Sequence, residues 1–251
     1  MLIMGILNVT PDSFADGGRH NDFDAAVARG LEMIAEGVDI IDIGGESTRP
    51  GADRVSGAEE IERTIPVITE LAKHGARISI DTMRASTAEA AIKAGASIIN
   101  DVSGGLADSE MLQTAARLQV PYIAMHWRGQ SKDMNSKAIY GDVVSDVISE
   151  LNERIEAALD AGIQKDKLII DPGLGFAKDA EHNWAIIDSI DRFVALGYPV
   201  LVGGSRKRFL GGETPDEREQ ATIELTKRLG TTGVWAVRVH SVKPHKEVLR
   251  A

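Results

Sequence analysis

The feature of this chain that most constrains its fold is an eightfold alternation of short apolar runs with longer amphipathic stretches. Most of the apolar runs are continuous rather than alternating, which is typical of strands covered on both faces. The predicted strands are Leu2–Val9, Val38–Gly44, Arg77–Asp81, Ser97–Asn100, Pro121–His126, Lys167–Asp171, Pro199–Gly203 and Val234–Val239. The predicted helices include Phe23–Ala35, Ala58–Lys73, Ser86–Ala94 and Tyr140–Ala161.

The number of units selects between two α/β architectures. An open doubly wound sheet also alternates strands and helices, but eight similar units of ~31 residues with no segment left over favour a closed (β/α)₈ TIM barrel. We therefore expect a single barrel domain over residues 1–251. The connections after the first two strands, 8–21 and 45–56, are long for a compact barrel and predict lids or binding loops.

Two helix starts are predicted from capping-box spacing. Ser56 stands three residues before Glu59, and Thr214 stands three residues before Glu217 with a proline between them. In this pattern the hydroxyl accepts a hydrogen bond from the backbone N–H three residues on. We expect a helix to begin at each of these positions.

Composition excludes several classes of function. The chain has no cysteine, which rules out disulfide scaffolds and thiolate metal sites. Its net charge of −10 argues against a nucleic-acid partner. No apolar run approaches the roughly 20 residues that span a bilayer. The first residues, Met1–Gly5, lack the features of a signal peptide, so we expect a cytoplasmic protein.

Polar residues cluster where the predicted strands end, the position of the active site in TIM barrels. Any single Asp or Asn there is best explained as a helix cap, and Asp101 and Asp108 are interpreted in that way. Capping does not explain a lysine, however, and Asp81, Asn100, Asp171 and Lys207 together predict a binding site.

The last strand predicts a site for an anion. Arg238 and His240 are two residues apart on this strand, so they are expected to point in the same direction. Such a cationic pair in an acidic chain suits a diphosphate. In the two long loops, Phe14 and Arg49 favour the interpretation of binding lids over surface insertions. His126 is expected to be packed or to act behind the site.

At this point the strand-end motifs resemble one known family, dihydropteroate synthase. They occur in the family's order from one end of the chain to the other, and together they are highly specific. Met125–Arg128 and His182–Trp184 most resemble its actinobacterial members. The matching segments are Ile6–Phe14, Gly44–Gly51, Ser79–Thr82, Ile99–Gly105, Asp171–Lys178, Ser205–Lys207 and Arg238–His240.

The resemblance implies an enzyme of folate biosynthesis. It would join 6-hydroxymethyl-7,8-dihydropterin diphosphate to p-aminobenzoate and release pyrophosphate, and sulfonamides would compete with p-aminobenzoate. In this family the C–O bond is thought to break before the amine attacks, so electrostatic stabilisation of a pterin cation is the main task. The resemblance also implies Mg²⁺ as cofactor and a homodimer built through the later helices.

The resemblance assigns roles residue by residue. The catalytic set is Asp81, Asp171, Lys207, Arg238 and His240, and the pterin site is Asp81, Asn100, Val102, Met125, Asp171, Gly203, Lys207 and Arg238. The diphosphate site is Asn8, Ser47, Arg49, Arg238 and His240, with Asn8 as the protein ligand of Mg²⁺. The p-aminobenzoate site is Phe14, Thr48, Arg49, Pro50, Phe176 and Ser205.

Two alternatives stay open at the level of sequence. A methyltetrahydrofolate-type methyltransferase shares the barrel and the pterin site. It would not need the loop Ser47–Pro50, or the anion set of Lys207, Arg238 and His240. A catalytically silent paralogue would bind pterin without turning it over. Ser241 departs from the family pattern, in which an aspartate follows the Arg-Val-His segment.

Overall fold

The computed structural model describes residues 1–10, 18–46, 55–130 and 134–250. The strands are β1 (Leu2–Asn8), β2 (Ile40–Gly44), β3 (Ile78–Asp81), β4 (Ile98–Asp101), β5 (Tyr122–Met125), β6 (Leu168–Asp171), β7 (Leu201–Val202) and β8 (Ala236–Val239). The helices are α1 (Gly18–Ala35), α2 (Gly57–Lys73), α3 (Ala85–Ala94), α4 (Met111–Leu118), α5 (Val143–Asp160), α6 (Ala180–Asp188), α7 (Ile190–Val194), α8 (Glu219–Leu229) and α9 (Lys243–Arg250). All strand pairs are parallel, in the order β6-β5-β4-β3-β2-β1-β8-β7, which confirms the predicted TIM barrel.

The barrel closes between β6 and β7 through a narrow seam. A single parallel bridge joins Ile170 to Val200, and the Ile170 N–H donates to the Pro199 carbonyl at 3.0 Å. β7 itself has only two residues, whereas the sequence predicted a strand over Pro199–Gly203. Its partner on the other side is β8, paired at Leu201↔Ala236 and Val202↔Val237.

Alternation of side chains along the strands produces two apolar layers. Ile41 and Ile43 of β2 belong to the large cluster that also contains Val67 and Leu71 of α2, so this face of the sheet packs against the helices. Fully burying an aliphatic side chain of this size contributes about 1.5–3 kcal/mol. The opposite face supplies a separate inner cluster that forms the barrel floor. Its buried members are Met4, Ile40, Ile98, Ile123, Ile169, Leu201 and Ala236.

The polar residues of the strand ends lie one layer above this apolar floor. Side chains two positions apart on a strand point to the same side of the sheet. The residue two positions after each floor residue therefore also faces the barrel interior. The register places Asp81 of β3 beside Asn100 of β4, and Met125 of β5 beside Asp171 of β6. The expected gathering of these side chains at one end of the barrel follows from this register. The residues reached in this way are Ile6, Asp42, Asn100, Met125, Asp171, Gly203 and Arg238, and Asp81 joins the layer as the neighbour of Asn100.

Several element boundaries differ from the sequence predictions. α1 begins at Gly18 rather than Phe23, so the connection after β1 is shorter than expected. α5 begins after Asp142, whose side chain accepts from the Ser145 N–H at 2.7 Å. After β2, which ends at Gly44, the next described element is α2, which begins at Gly57.

One of the two predicted helix starts is confirmed and the other is wrong. Ser56 Oγ accepts from the Glu59 N–H at 3.2 Å at the start of α2. Thr214 Oγ1 also accepts from the Glu217 N–H, at 3.3 Å, but this bond only closes a turn, and α8 begins later, at Glu219. No helix within the described ranges is both long and apolar enough to cross a membrane.

Candidate active site

A buried cluster of carboxylates around one arginine forms the centre of the barrel mouth. Arg238 donates from Nε to Asp42 Oδ2 at 2.5 Å and from Nη2 to Asp81 Oδ2 at 2.6 Å. Asn100 Nδ2 donates to the same Asp42 oxygen at 3.0 Å. Four strands thus place three predicted site residues in one hydrogen-bonded group, with Asp42 joining Arg238 to Asn100.

Burial and charge set the ionisation of this group. Burial, opposed by Arg238 and reinforced by the neighbouring carboxylate Asp42, raises the pKa of Asp81 to about 7. Burial alone would lower the pKa of Arg238, but Asp42 and Asp81 outweigh it and raise that pKa above its usual value. Asp81 therefore holds a proton more readily than an exposed carboxylate would, while Arg238 remains a fixed cation.

Asp171 and Lys207 lie on opposite sides of the seam, because Asp171 ends β6 and Lys207 follows β7. Asp171 Oδ1 accepts from the Gly173 N–H at 2.7 Å, and burial raises the pKa of Asp171 against the effects of that bond and of Lys207. Burial lowers the pKa of Lys207 to about 8, and Asp171 opposes this shift. Gly203 stands next to both Asp171 and Arg238, since a Cβ there would lie 3.7 Å from Asp171 Oδ2 and 4.0 Å from Arg238 Cβ. The missing side chain leaves room at this point of the mouth.

The loop after β6 reaches back to Lys207. The Lys207 ammonium donates to the Leu174 carbonyl and lies 4.5 Å from the centre of the Phe176 ring. Gly173 has φ +69, and a Cβ at this position would lie 2.5 Å from the His126 carbonyl oxygen, so only glycine fits there. The loop therefore brings Phe176, a predicted p-aminobenzoate contact, against the lysine predicted to bind the pterin.

An apolar patch adjoins these charges. Val102 and Met125 are buried together with Met83, and Phe176 and Trp127 pack against them partly buried. Flat aromatic ligands favour such surfaces, with a few polar groups fixing their orientation. The patch adjoins Asp171, which pairs in register with Met125.

His240 and Ser205 form a pair at the β7 and β8 ends. Ser205 Oγ lies 2.9 Å from His240 Nδ1 and accepts from the His240 N–H at 3.2 Å. The contact joins a predicted diphosphate residue to a predicted p-aminobenzoate residue. Arg238, two positions before His240, is the cation of the carboxylate cluster, so the two members of the predicted cationic pair have different partners.

Asn8 ends β1 beside Gly44 and is half-buried. Within the described ranges its side chain makes no hydrogen bond, and no group of three or more His, Cys, Asp or Glu residues could hold a metal ion. Mg²⁺ commonly takes one or two protein oxygens, several waters and substrate phosphates. A single amide oxygen at the mouth fits a Mg²⁺ ion that is bound chiefly by a diphosphate.

Five predicted site residues lie outside the described residues. They are Phe14, Ser47, Thr48, Arg49 and Pro50. Their assignments remain predictions from the family resemblance.

Asp42 belongs to the site although it was not among the residues predicted from the sequence. This residue is fully buried, and one of its oxygens serves both Arg238 and Asn100. The signal was present, because Asp42 interrupts the apolar run Ile40–Gly44 and lies two residues before its end. A charge inside a doubly covered strand is costly unless it is paired.

A buried lysine behind the site was likewise not predicted to have a role. Lys178 Nζ lies 2.8 Å from His126 Nδ1 and donates to the carbonyls of Gly173 and Phe176, at 3.1 Å each. On its other side His126 Nε2 lies 3.0 Å from Glu150. Burial lowers the pKa of Lys178 to about 7. His126 is thus packed behind the site, as expected, and the pair fixes both ends of the loop that carries Phe176.

Comparison with known proteins identifies the family. Residues 4–240 match the family of pterin binding enzymes. The dihydropteroate synthase of Mycobacterium leprae (strain TN) is 46% identical over 99% of this chain and 91% of its own length. Two solved Xanthomonas albilineans dihydropteroate synthase structures are also similar. The one with 4-aminobenzoic acid has a TM-score of 0.93 at 43% identity, covering 99% of this chain and 90% of the other. The complex with 7,8-dihydropteroate has a TM-score of 0.90 at 40% identity, covering 99% and 91%.

These similarities extend over nearly the whole chain, and they agree with the barrel and with the polar layer at its mouth. The chain is accordingly an enzyme, a transferase that forms a C–N bond in folate synthesis. It belongs to the dihydropteroate synthase family.

Proposed function

We propose that residues 1–251 act as one pterin-binding domain that condenses 6-hydroxymethyl-7,8-dihydropterin diphosphate with p-aminobenzoate to give 7,8-dihydropteroate and pyrophosphate. The observation that carries the proposal is the interior layer in which Asp81, Asn100, Asp171 and Arg238 converge at one end of the barrel, with Lys207 beside it. Such convergent polar groups beside an apolar patch are typical of a site for a flat polar ligand. The related synthase structures with 4-aminobenzoic acid, the proposed second substrate, and with 7,8-dihydropteroate, the proposed product, support this reaction.

The pterin ring would lie against the patch formed by Val102 and Met125, in the space left by Gly203. Its adjacent N–H donors would meet the Asp171 carboxylate, which can accept from both. Asn100 and Asp81 would hold the rest of the ring edge. Lys207 would donate to the ring's oxygen and nitrogen acceptors, for which its charged form is needed.

The diphosphate would lie toward Asn8, Arg238 and His240, with Ser47 and Arg49 contributing from the loop after β2. Mg²⁺, when bound, would neutralise part of the diphosphate charge and so improve it as a leaving group. Asn8 would offer one protein oxygen to the ion. Arg238 is already a fixed cation, so it would stabilise charge developing on the departing oxygen without rearrangement.

The p-aminobenzoate site would be built from Phe176 and Ser205, together with Phe14, Thr48, Arg49 and Pro50. In the reaction the C–O bond to diphosphate breaks, and the bonding electrons leave with pyrophosphate. The amine nitrogen then forms the new C–N bond and gives up a proton to the surrounding water. Asp81 and Asp171 would stabilise the cationic pterin between these steps, and a neutral aromatic amine needs no strong base.

The assay is pyrophosphate release by the purified chain given the pterin diphosphate, Mg²⁺ and p-aminobenzoate. We expect release that requires p-aminobenzoate, stops when EDTA removes Mg²⁺, and is blocked competitively by a sulfonamide. Tight pterin binding without release would instead identify a silent pterin-binding paralogue. Methyl transfer from methyltetrahydrofolate to a corrinoid would identify the methyltransferase alternative.

We also infer that the enzyme works as a homodimer in the cytoplasm, with small molecules as its other partners. Trp184 on α6 is 38% exposed and packs edge-on against Phe209, at 5.7 Å between ring centres. A partly exposed aromatic pair, formed by α6 and the segment that follows Lys207, suits a dimer contact. Light scattering on the purified protein would give the mass, and a monomer at micromolar concentration would rule the dimer out.

A further inference from the structure

Arg206 stands between two residues of the proposed site and has an unusual backbone. It follows Ser205 and precedes Lys207 in the loop after β7, and its φ is +56, in the left-handed region. Residues other than glycine and asparagine rarely adopt this conformation, and it persists only where surrounding contacts enforce it. The chain therefore holds an arginine where glycine would be less strained, and the side chain must account for it.

The Arg206 side chain is tied to three parts of the structure outside the site. Its Nε donates to Glu219 Oε2 of α8 at 2.6 Å, and its Nη2 donates to Ser241 Oγ, next to His240, at 2.9 Å. Its Nη1 lies 3.4 Å from Asp216 in the turn before α8. The guanidinium thus links the loop after β7 to α8 and to the segment after β8.

The backbone of Arg206 completes the anchor. The Arg206 N–H donates to Thr222 Oγ1 of α8 at 3.1 Å. The other Glu219 oxygen lies 3.4 Å from Nε2 of His245, a fully buried residue of α9. Glu219 Oε1 and His245 Nε2 make no hydrogen bond within the described residues, so it is Glu219 Oε2 that ties α8 to Arg206.

Alternation along the loop separates anchoring residues from site residues. A Cβ on Gly204 would lie 2.7 Å from Leu225 of α8, so this residue, like Arg206, faces the helix. Ser205 instead contacts His240, and Lys207 reaches Leu174 and the Phe176 ring. The left-handed turn at Arg206 lets the two residues beside it face the barrel mouth together.

We propose that Arg206 is a positioning residue of the synthase: its ion pair with Glu219 and its bond to Ser241 hold the left-handed turn, and that turn places Ser205 against His240 and Lys207 at the pterin site. This inference rests on the proposed function, because it assumes that Ser205 and Lys207 bind the substrates. It assigns a role in substrate placement to a side chain whose partners, Glu219, Asp216 and Ser241, all lie outside the proposed substrate sites.

The test compares Arg206→Ala, Arg206→Gly, Arg206→Lys and Glu219→Gln with wild type. Each is assayed for pyrophosphate release, for pterin diphosphate affinity by calorimetry, and for amide exchange over residues 203–207. Arg228→Ala is the matched control, because this arginine also lies on α8 but pairs with Asp188 at the surface. Displacing catalytic groups by about 1 Å can cost on the order of 100-fold.

We expect Arg206→Ala and Glu219→Gln each to lower kcat/KM by at least about 10-fold, with weaker pterin binding and faster exchange over the loop. Because Arg206 and Glu219 act as one unit, the double variant that combines Arg206→Ala with Glu219→Gln should lose little more kcat/KM than the worse single variant. Arg206→Lys keeps the positive charge but lacks the branched guanidinium donors. Its kcat/KM should therefore lie between those of wild type and Arg206→Ala. The Arg228→Ala control should match wild type.

Wild-type turnover together with wild-type amide exchange in Arg206→Ala would overturn the proposal, because the turn would then hold without its side-chain anchor. Arg206→Gly, which adopts the turn without strain, should lose less activity than Arg206→Ala. Losses that multiply in the double variant would also overturn it, since they would show independent action. If Arg206→Ala does not fold, Arg206→Lys and Glu219→Gln carry the same comparison. If wild type itself releases no pyrophosphate, the proposed function fails, while pterin affinity and amide exchange still decide the role of Arg206.

Discussion

Replacing Lys207 with methionine should stabilise the protein while it inactivates the enzyme. Holding this lysine in a mostly dry site lowers its pKa from 10.5 to about 8. A shift of that size corresponds to about 3 kcal/mol of unfavourable free energy for the charged form at pH 7. Methionine removes that cost but also loses the bond to the Leu174 carbonyl, worth about 1 kcal/mol. The expected net gain is about 2 kcal/mol, or roughly 4–8 °C in Tm for a chain of this size.

Turnover should move in the opposite direction. Removing a charged donor from the pterin site should lower kcat/KM by about 100-fold or more. The assays are thermal unfolding by calorimetry and pyrophosphate release, both at pH 7. Lys227→Met is the control, because Lys227 is an exposed lysine of α8 and should change neither quantity.

The pH dependence gives the sharpest test of the reasoning. Between pH 8 and about 10.5 the unfolded chain holds a proton on Lys207 that the folded protein has lost. The contribution of Lys207 to the free energy of unfolding of wild type therefore rises with pH over this interval. The advantage of Lys207→Met should therefore shrink steadily over that interval. A variant that is less stable than wild type at pH 7, or an advantage that does not narrow by pH 10, would refute the argument from desolvation.

Three further predictions follow from the same site. Asp171→Asn should lower turnover by about 100-fold without unfolding the protein, because the amide oxygen can still accept from Gly173; circular dichroism with the release assay checks it, and wild-type turnover would refute the role. Arg238→Ala should weaken pyrophosphate binding in calorimetry and lower stability by about 3–5 kcal/mol, since it leaves buried carboxylates unpaired; unchanged affinity would remove it from the diphosphate site. Burial, reinforced by Lys178, lowers the pKa of His126 to about 4, so the unfolded chain takes up this proton first as the pH falls. Wild type should then lose up to about 3 kcal/mol between pH 6.5 and pH 4, a loss that urea unfolding should find reduced in His126→Gln.

The fold was predictable because the chain repeats one unit. Eight apolar runs separated by amphipathic stretches determine the barrel, and the motifs at the strand ends determine which end of it carries the site. Boundaries were less predictable. The two-residue length of β7 depends on where the seam closes. The start of α1 at Gly18 was missed because helix ends are poorly specified by local pattern.

The candidate site was predictable in its membership but not in its connections. Family motifs marked Asp81, Asn100 and Arg238, yet nothing local in the sequence says that Asp42 joins two of them through one oxygen. Those contacts join residues 58 and 196 positions apart, and they exist only once the barrel forms. The same holds for Lys178, whose partner His126 lies 52 positions away.

The seam between β6 and β7 is a place where substrate binding can stabilise the barrel. One bridge joins these strands, whereas neighbouring pairs such as β5 and β6 share four paired positions. The barrel should therefore open locally at this seam first. The amides around Ile170 and Leu201 should exchange with solvent ahead of the rest of the sheet. Asp171 continues from one side of this opening, and Gly203 and Lys207 continue from the other. A pterin held by residues on both sides of the seam would link β6 to β7, so that the barrel is fully closed only when the pterin is bound.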